Sequence, residues 1–365
     1  MLTSQQGYLR SNRYRQRPNI NDTISPPIRS LGDSERADTI RNATWNYDVA
    51  EQSTEQREQR RLKREARRAK QRLENVSRAQ KMHVVRISGA YEHQPLLQRR
   101  GLGAQPDLHI GCSGWYYWHW KGLFYPEHMP SKEWFNHYAS KFNTVELNAP
   151  FYSWPTLGTV KTWVNQAGRR KMVYTVKVSE LITHTKRFRG TKTLIRDFGL
   201  IADMLGPRMG CFLFQLPPSF HYTPGALKRI VTQLEPQRRN VVEFRHRSWW
   251  NKTVFKAFRE AGIIFCSCSG PRLPDQLVKT SDDIYVRFHG IKRWYRHDYS
   301  NDELTLWTKR IADSGAKTVW AYFNNDRDGY AIKNARQLTR CLKRHAVKEV
   351  ESDEGLVEPA SKSST

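Results

Sequence analysis

Four side chains with acid, base or nucleophile chemistry, Glu146, Lys177, Glu243 and His289, stand at or near the ends of short β-branched or aromatic runs. A glutamate beside a cation can act as a general base, a histidine can shuttle protons near neutral pH, and a desolvated lysine can attack a carbonyl as a Schiff-base nucleophile. Lys177, Arg245 and Arg287 add a positive field, the arginines with fork-shaped donors suited to phosphate or carboxylate. Ser113, Asn148, Gln215, Asn324 and Asp326 supply polar positioning groups, and Trp115 and Tyr152 aromatic walls. The block Tyr322 to Gly329 is the densest of these polar stretches. Its Asn324-Asn325-Asp326 core follows a β-branched and aromatic run and precedes an apolar helical pattern, so it sits where a strand ends. Three buried amides or carboxylates there would each need a partner, which makes a site a better account than core packing.

A divalent metal held by Glu146, Glu243 and His289 is a second reading of the same residues. The neighbouring cations disfavour it, and neither a metal nor a cofactor is expected. Cys266 and Cys268 alternate on one strand without further local ligands and read as small core residues. No nucleophile elbow, phosphate loop or zinc-protease pattern fixes a reaction.

From Leu108 onward, strand patterns at 108–114, 143–149, 171–179, 209–216, 240–246, 263–269, 283–289 and 318–324 alternate with helical segments. Those segments include Lys132 to Lys141, Thr193 to Leu205, Pro224 to Leu234, Thr253 to Ala261 and Asn301 to Ser314, whereas Pro271 to Ser281 is the least helical connection. Eight strands over about 240 residues predict an α/β fold, a closed (β/α)8 TIM-type barrel. The alternative, an open doubly wound sheet, carries a glycine-rich phosphate fingerprint that Gly111-Cys112-Ser113-Gly114 lacks. Parity then sends Val145 and Leu147 towards the helices and Glu146 and Asn148 inward, with the same division for Val242 and Phe244 against Glu243 and Arg245. Strand seven likewise turns Arg287 and His289 inward, and the other strands contribute Ser113, Lys177, Gln215 and Asn324. Asn324 and Asp326 point one way and Asn325 the other, where it is expected to cap the helix entered near Gly329. A purely structural ion-pair network is the alternative to a pocket, but buried ion pairs stabilise weakly compared with apolar packing. The aromatic residues after strands one, two, five and seven either line the mouth of the pocket or pack its long loops.

These segments resemble the DUF72 or YecE-like family. The likeness is carried by Gly111-Cys112-Ser113-Gly114-Trp115, Phe124-Tyr125-Pro126, Val145-Glu146-Leu147-Asn148 with Phe151-Tyr152, and Phe214 to Phe220. It continues in Val242-Glu243-Phe244-Arg245-His246 with Ser248-Trp249, Tyr285 to Gly290, and Tyr322 to Asp326 with Gly329-Tyr330, in family order over roughly 108–342. The resemblance implies a TIM-type barrel with its shared residues around one pocket, and no established reaction. Cys112, where Thr is usual, Ala149-Pro150 before Phe-Tyr, and Arg247, where Pro is common, depart from the pattern and bear on the shape of the mouth.

The chain has 365 residues and a net charge of +26. Residues 106–345, read as the barrel domain, hold 38 Lys and Arg against 19 Asp and Glu, and residues 1–105 hold 21 against 11. A fold this basic suits a small or polymeric anion, nucleic acid included. Residues 1–105 are too poor in large apolar side chains to build a core and read as a basic extension, largely disordered or helical, with a helix over 51–81. Leu62, Ala66, Ala69, Leu73 and Val76 form a heptad-like seam there, consistent with a solvated helix, a nucleic-acid contact or a weak coiled coil. Residues 346–365 read as an acidic disordered tail. Five cysteines in apolar surroundings without a secretory signal point to a reducing compartment and a cytoplasmic location. Arg10, Arg13, Arg15 and Arg17 faintly resemble a mitochondrial targeting segment as the alternative. No stretch reaches the ~18–20 apolar residues of a membrane span. Together these features predict an enzyme with an anion-binding pocket at the strand ends, of hydrolase or lyase type. The alternative is a non-catalytic nucleic-acid-binding protein that uses the basic barrel surface and the N-terminal helix.

Overall fold

The computed structural model describes residues 33–91 and 106–354, with side chains described over 55–91 and 106–347. The Arg-rich first residues read as a possible targeting segment, and the last residues of the acidic tail, lie outside the described residues. The chain divides into two compact units, Met1–Leu73 and Glu74–Thr365.

Helix α1 spans Asp33–Ile87, longer at both ends than the 51–81 read from helix formers. Leu62, Leu73 and Val76 of the heptad-like seam are exposed at 52%, 74% and 41%. Among its described side chains the buried stripe of this helix is instead Asn75, Ala79 and Met82, spaced four and three residues apart and all within the second unit.

The second unit is a ring of parallel strands. These are β1 (Asp107–Cys112), β2 (Thr144–Leu147), β3 (Val173–Lys177), β4 (Met209–Gln215), β5 (Asn240–Glu243), β6 (Ile264–Ser269), β7 (Asp283–Phe288) and β8 (Thr318–Phe323), hydrogen-bonded in the order β1-β8-β7-β6-β5-β4-β3-β2. Around them lie α2 (Trp134–Ala139), α3 (Ala149–Tyr152), α4 (Leu157–Ala167), α5 (Lys192–Leu205), α6 (Pro224–Gln233), α7 (Lys252–Glu260), α8 (Asn301–Ala312) and α9 (Tyr330–Glu354). Each expected strand is present. The sequence reading gave no helix between β2 and β3, because α4 offers only Val160, Trp163 and Ala167 as its buried face; Thr156 caps it by accepting from Thr159 N. No helix joins β6 to β7, and that connection lies along β6, with Val278 N donating to Ser267 Oγ and Phe265 N to Thr280 Oγ1.

Strand alternation separates two apolar layers, as parallel strands covered by helices require. Val173, Cys211, Leu213, Val241, Ile264, Cys266, Cys268, Tyr285, Trp320 and Tyr322 fill the barrel interior. The opposite parity, including Val145, Leu147, Val242, Phe244, Val286 and Phe288, packs beneath the helices. The ring closes between β1 and β2 through a side chain. The Tyr138 hydroxyl accepts from Cys112 N (2.9 Å) and donates to Thr144 O (3.0 Å), standing in for a ladder bond. Gly111 permits this approach, because a β-carbon there would lie 2.5 Å from Thr144 O. Tyr138→Phe leaves both backbone groups buried and unpaired, so it is expected to lower stability by about 1–3 kcal/mol, read as an earlier urea midpoint with an unchanged slope.

Candidate functional site

At the C-terminal ends of the strands one arginine links two carboxylates. Arg287, 1% exposed on β7, donates from Nη2 to Glu146 Oε1 (2.5 Å) and from Nη1 to Glu243 Oε2 (2.6 Å). Glu146 also accepts from Ser113 Oγ (2.6 Å) and from the Tyr285 hydroxyl (2.6 Å). Glu243 Oε1 pairs with Arg245 Nε and lies 3.2 Å from His289 Nε2. Burial pushes the Glu243 carboxyl up, but the guanidinium groups of Arg245 and Arg287 and the His289 bond outweigh it and hold the group well below the usual carboxylate range.

Burial, reinforced by Arg245 and Arg287, holds His289 well below the usual histidine value, so the ring is neutral. Asn324 Nδ2 lies 3.3 Å from Nδ1. Nε2 lies between Arg245 Nη2 (3.1 Å), which can only donate, and Glu243 Oε1, which can only accept, so the neutral ring is held on both nitrogens without its contacts fixing one tautomer.

Above this fully buried tier lies one that solvent reaches. Lys177 and Gln215 are 7% and 8% exposed, and Asn148, Arg245 and Asn324 are half-buried. Burial lowers the Lys177 ammonium first, Arg287 and Arg245 repel it further, and Glu243 and Glu146 only partly offset them, leaving it at about 7. Among the described residues Lys177 makes no ion pair within 4.0 Å. Its Nζ rests 4.0 Å from the Phe151 ring centroid, and Arg245 lies 4.5 Å from that of Trp294. Each accessible cation is thus covered on one side by an aromatic face.

Sequence reasoning missed Phe151 and His184 as parts of this site. His184 belongs to a turn of π-helix, Leu181–Thr185, directly after β3; its ring lies 4.9 Å from Phe151, and burial, Lys177 and Arg245 lower it to about 3. A π-turn is a frequent mark of a functional position, but nothing in its composition announces it. The four described non-glycine residues with positive φ, Arg187, Phe188, Arg272 and Tyr295, all lie on loops leaving strand C-termini. Tyr295 N donates to His289 O (2.6 Å), closing the turn that carries Trp294.

The remaining expected site residues lie around this cluster. Asn148 Nδ2 donates to Ser113 O (3.2 Å), and its buried Oδ1 has no protein partner. Gln215 donates to Leu216 O (2.7 Å). Trp115 packs edge-on against Phe135, and its carbonyl accepts from the Tyr125 hydroxyl. Tyr152 takes part through its backbone carbonyl, which accepts from Asn75 (3.0 Å). Asp326 turns its carboxylate to the loop after β1, accepting from Trp120 Nε1 (2.7 Å) and lying 3.0 Å from His119 Nε2. Asn325 does not cap α9; it donates to His297 O and to Asn334 Oδ1, both 2.7 Å away, and joins the loop after β7 to the helix. Trp120, Trp154 and Trp249 are fully buried in loop packing, whereas Trp294 faces a site cation.

Glu243, Cys268 and His289 bring ligand atoms within 4.8 Å of one another. The set does not fit a divalent ion, because both Glu243 oxygens face guanidinium nitrogens and the metal charge would sit against Arg245 and Arg287.

The strand order defines a (β/α)8 barrel, with this polar tier at its C-terminal face. Residues 109–356 match the family described as "Protein of unknown function DUF72", and the chain belongs to that family. The UPF0759 protein YunF of Bacillus subtilis (strain 168) is 26% identical over 274 residues, which cover 64% of this chain and 94% of that protein. The crystal structure of a DUF72 family protein from Thermotoga maritima MSB8 aligns with a TM-score of 0.59 at 26% identity, over 65% of this chain and 99% of that one. A second, from Enterococcus faecalis V583, aligns at 0.53 with 20% identity, over 66% and 99%, and supports the fold alone. Among the described residues no helix is long and apolar enough to cross a membrane.

Proposed function

We propose that this protein is an enzyme that takes a small anionic substrate at the C-terminal face of its barrel, in a reaction of hydrolase or lyase type. The observation that carries the reading is Lys177, a buried amine held at about 7 and unpaired by any carboxylate among the described residues. An incoming phosphate or carboxylate would supply the missing counter-charge, with the Arg245 guanidinium as a second cationic donor. Glu146 and Glu243 carry the acid and base roles in the sequence reading, but both are fully buried and anchored by guanidinium donors. They support Arg287 and leave the proton-accepting or nucleophilic role to Lys177, whose value near neutrality suits it. His289 and Asn324 hold Glu243 in place from the other side.

Thermal-shift titration with inorganic phosphate and small carboxylates tests this. Wild type is expected to be stabilised by at least one such anion and Lys177→Met by none; equal responses in the two proteins would remove the basis for the site.

A second reading, polyanion binding, is favoured by α1. Every residue from 55 to 70 is exposed, and this stretch carries eight Lys and Arg against three Asp and Glu. Association with duplex DNA should then weaken steeply and linearly in log salt, whereas salt-insensitive or absent association rejects it.

A further inference from the structure

Within the second unit, the last turns of α1 grip the chain segment that carries Phe151. Asn75 is 1% exposed, and its carboxamide is used at both ends: Nδ2 donates to Tyr152 O (3.0 Å) and Oδ1 accepts from Trp154 N (2.8 Å). Three residues on, Arg78 Nη1 donates to Ser153 Oγ (2.5 Å) and Trp154 O (3.4 Å). One turn further, Met82 Sδ accepts from Trp154 Nε1 (3.3 Å), and Ala79 and Met82 are buried. Three consecutive residues, Tyr152, Ser153 and Trp154, are therefore tied to one helix face. The same helix is fastened separately to α5, where Asp197 Oδ1, on a residue 2% exposed, accepts from Arg86 Nε (2.7 Å) and lies 3.0 Å from His83 Nδ1.

The tied segment leads directly out of α3, whose Phe151 ring covers Lys177 Nζ and meets His184 edge-on. Holding Tyr152 and Trp154 fixes the path of α3, and so the placement of that ring. The two carboxamide bonds satisfy a buried backbone N–H and a carbonyl that no ladder serves. Their loss leaves the turn free to pivot about β2 and lets water reach the amine that Phe151 shields. The residues responsible lie outside the stretch matched by the family, which begins at residue 109.

We infer that Asn75, supported by Arg78, is a positioning residue for the site: the appended helix holds Phe151 over Lys177 and so keeps the lysine desolvated and usable. This rests on the proposed role of Lys177, but it concerns the environment of the amine rather than the reaction. The charged and titratable groups acting on that amine, Glu146, Glu243, Arg245, Arg287 and His184, all lie on the barrel and its loops and are left in place by changes in α1.

The test uses the full chain and compares Asn75→Ala, which releases the segment, with Arg86→Ala, which loosens only the attachment to α5. Reductive methylation with formaldehyde, followed by peptide mapping, reads the pH midpoint of labelling at Lys177, and thermal unfolding reads stability. Asn75→Ala is expected to raise the midpoint by about one pH unit as the amine regains water, whereas Arg86→Ala lowers the melting temperature without moving the midpoint. Asn75→Leu fills a similar volume and removes both carboxamide bonds without adding a charge. It is expected to shift the midpoint as alanine does, and it stands in for the alanine variant if that does not fold. An unchanged midpoint in the Asn75 variants, or the same change in Arg86→Ala, overturns the inference. If the midpoint moves as expected while Lys177→Met still responds to anions as wild type does, the positioning role stands and the proposed function falls.

Discussion

Arg287→Met is expected to lower the stability of the barrel by about 3–5 kcal/mol at neutral pH, because it removes the one cation shared by Glu146 and Glu243, leaving Glu146 without a cationic partner in the interior and Glu243 with Arg245 alone. Methionine fills much of the same volume, so the loss comes from the carboxylates' lost counter-charge rather than a cavity. The pH dependence separates this from a packing defect. Glu243 is held below its ordinary value of 4.5, so its contribution is fully present above that value and is lost as pH falls through the folded one. A protonated Glu243 no longer needs Arg287, and the gap between wild type and variant narrows on acidification. Urea unfolding from pH 7 down to pH 2.5 follows the gap into that window, and a pH-independent gap contradicts the assignment.

Lys177→Met has the opposite sign. The lysine has an ordinary value of 10.5 and is held at about 7 in the fold. Between those values the unfolded chain carries a proton that the folded chain has shed, so wild-type stability rises with pH across the window and the full cost is present below 7. Replacing the amine by a thioether of similar length removes that cost. The variant is expected to be more stable than wild type by up to about 4 kcal/mol near pH 6, with the advantage fading towards pH 10.5. It should also lose the response to anions. Gained stability with lost binding is the pattern of a residue kept for use rather than for the fold. Urea midpoints at pH 6, 8 and 10 read the first effect and anion titration the second; a destabilised variant at pH 6 sinks the argument. The contrast with Arg287 sorts the site's cations, since one closes the barrel core and the other is held against it.

Much of this was legible because a barrel strand alternates with period two. Val145 and Leu147 against Glu146, and Val242 and Phe244 against Glu243, assign faces without any knowledge of neighbours. The same rule placed Arg287, His289, Lys177 and Asn324 inward. It could not rank them, because which carboxylate each cation meets depends on strand register and tilt around the ring. Asn325 and Asp326 show where parity stops. Beyond Phe323 the chain leaves the sheet, and the two side chains go to the loops after β7 and β1 according to the turn. The aromatic residues were ambiguous for a related reason, since burial and exposure of a tryptophan in a loop are decided by what the loop folds onto. Phe151 and His184 carry no chemical pattern, and only the paths of α3 and the π-turn set them beside Lys177.

By itself the sequence determined eight strands, the side of each that carries polar groups, the basic charge and the helix-forming extension, since these follow from local propensity, alternation and composition. Tertiary structure alone decided that Arg287 joins Glu146 to Glu243, that Lys177 stands without a carboxylate partner among the described residues, and that Asn75 reaches Tyr152 and Trp154 across 77 and 79 positions of chain. Those outcomes are distances between atoms remote in sequence. They are fixed by how the ring closes and what packs on it, which no local pattern encodes.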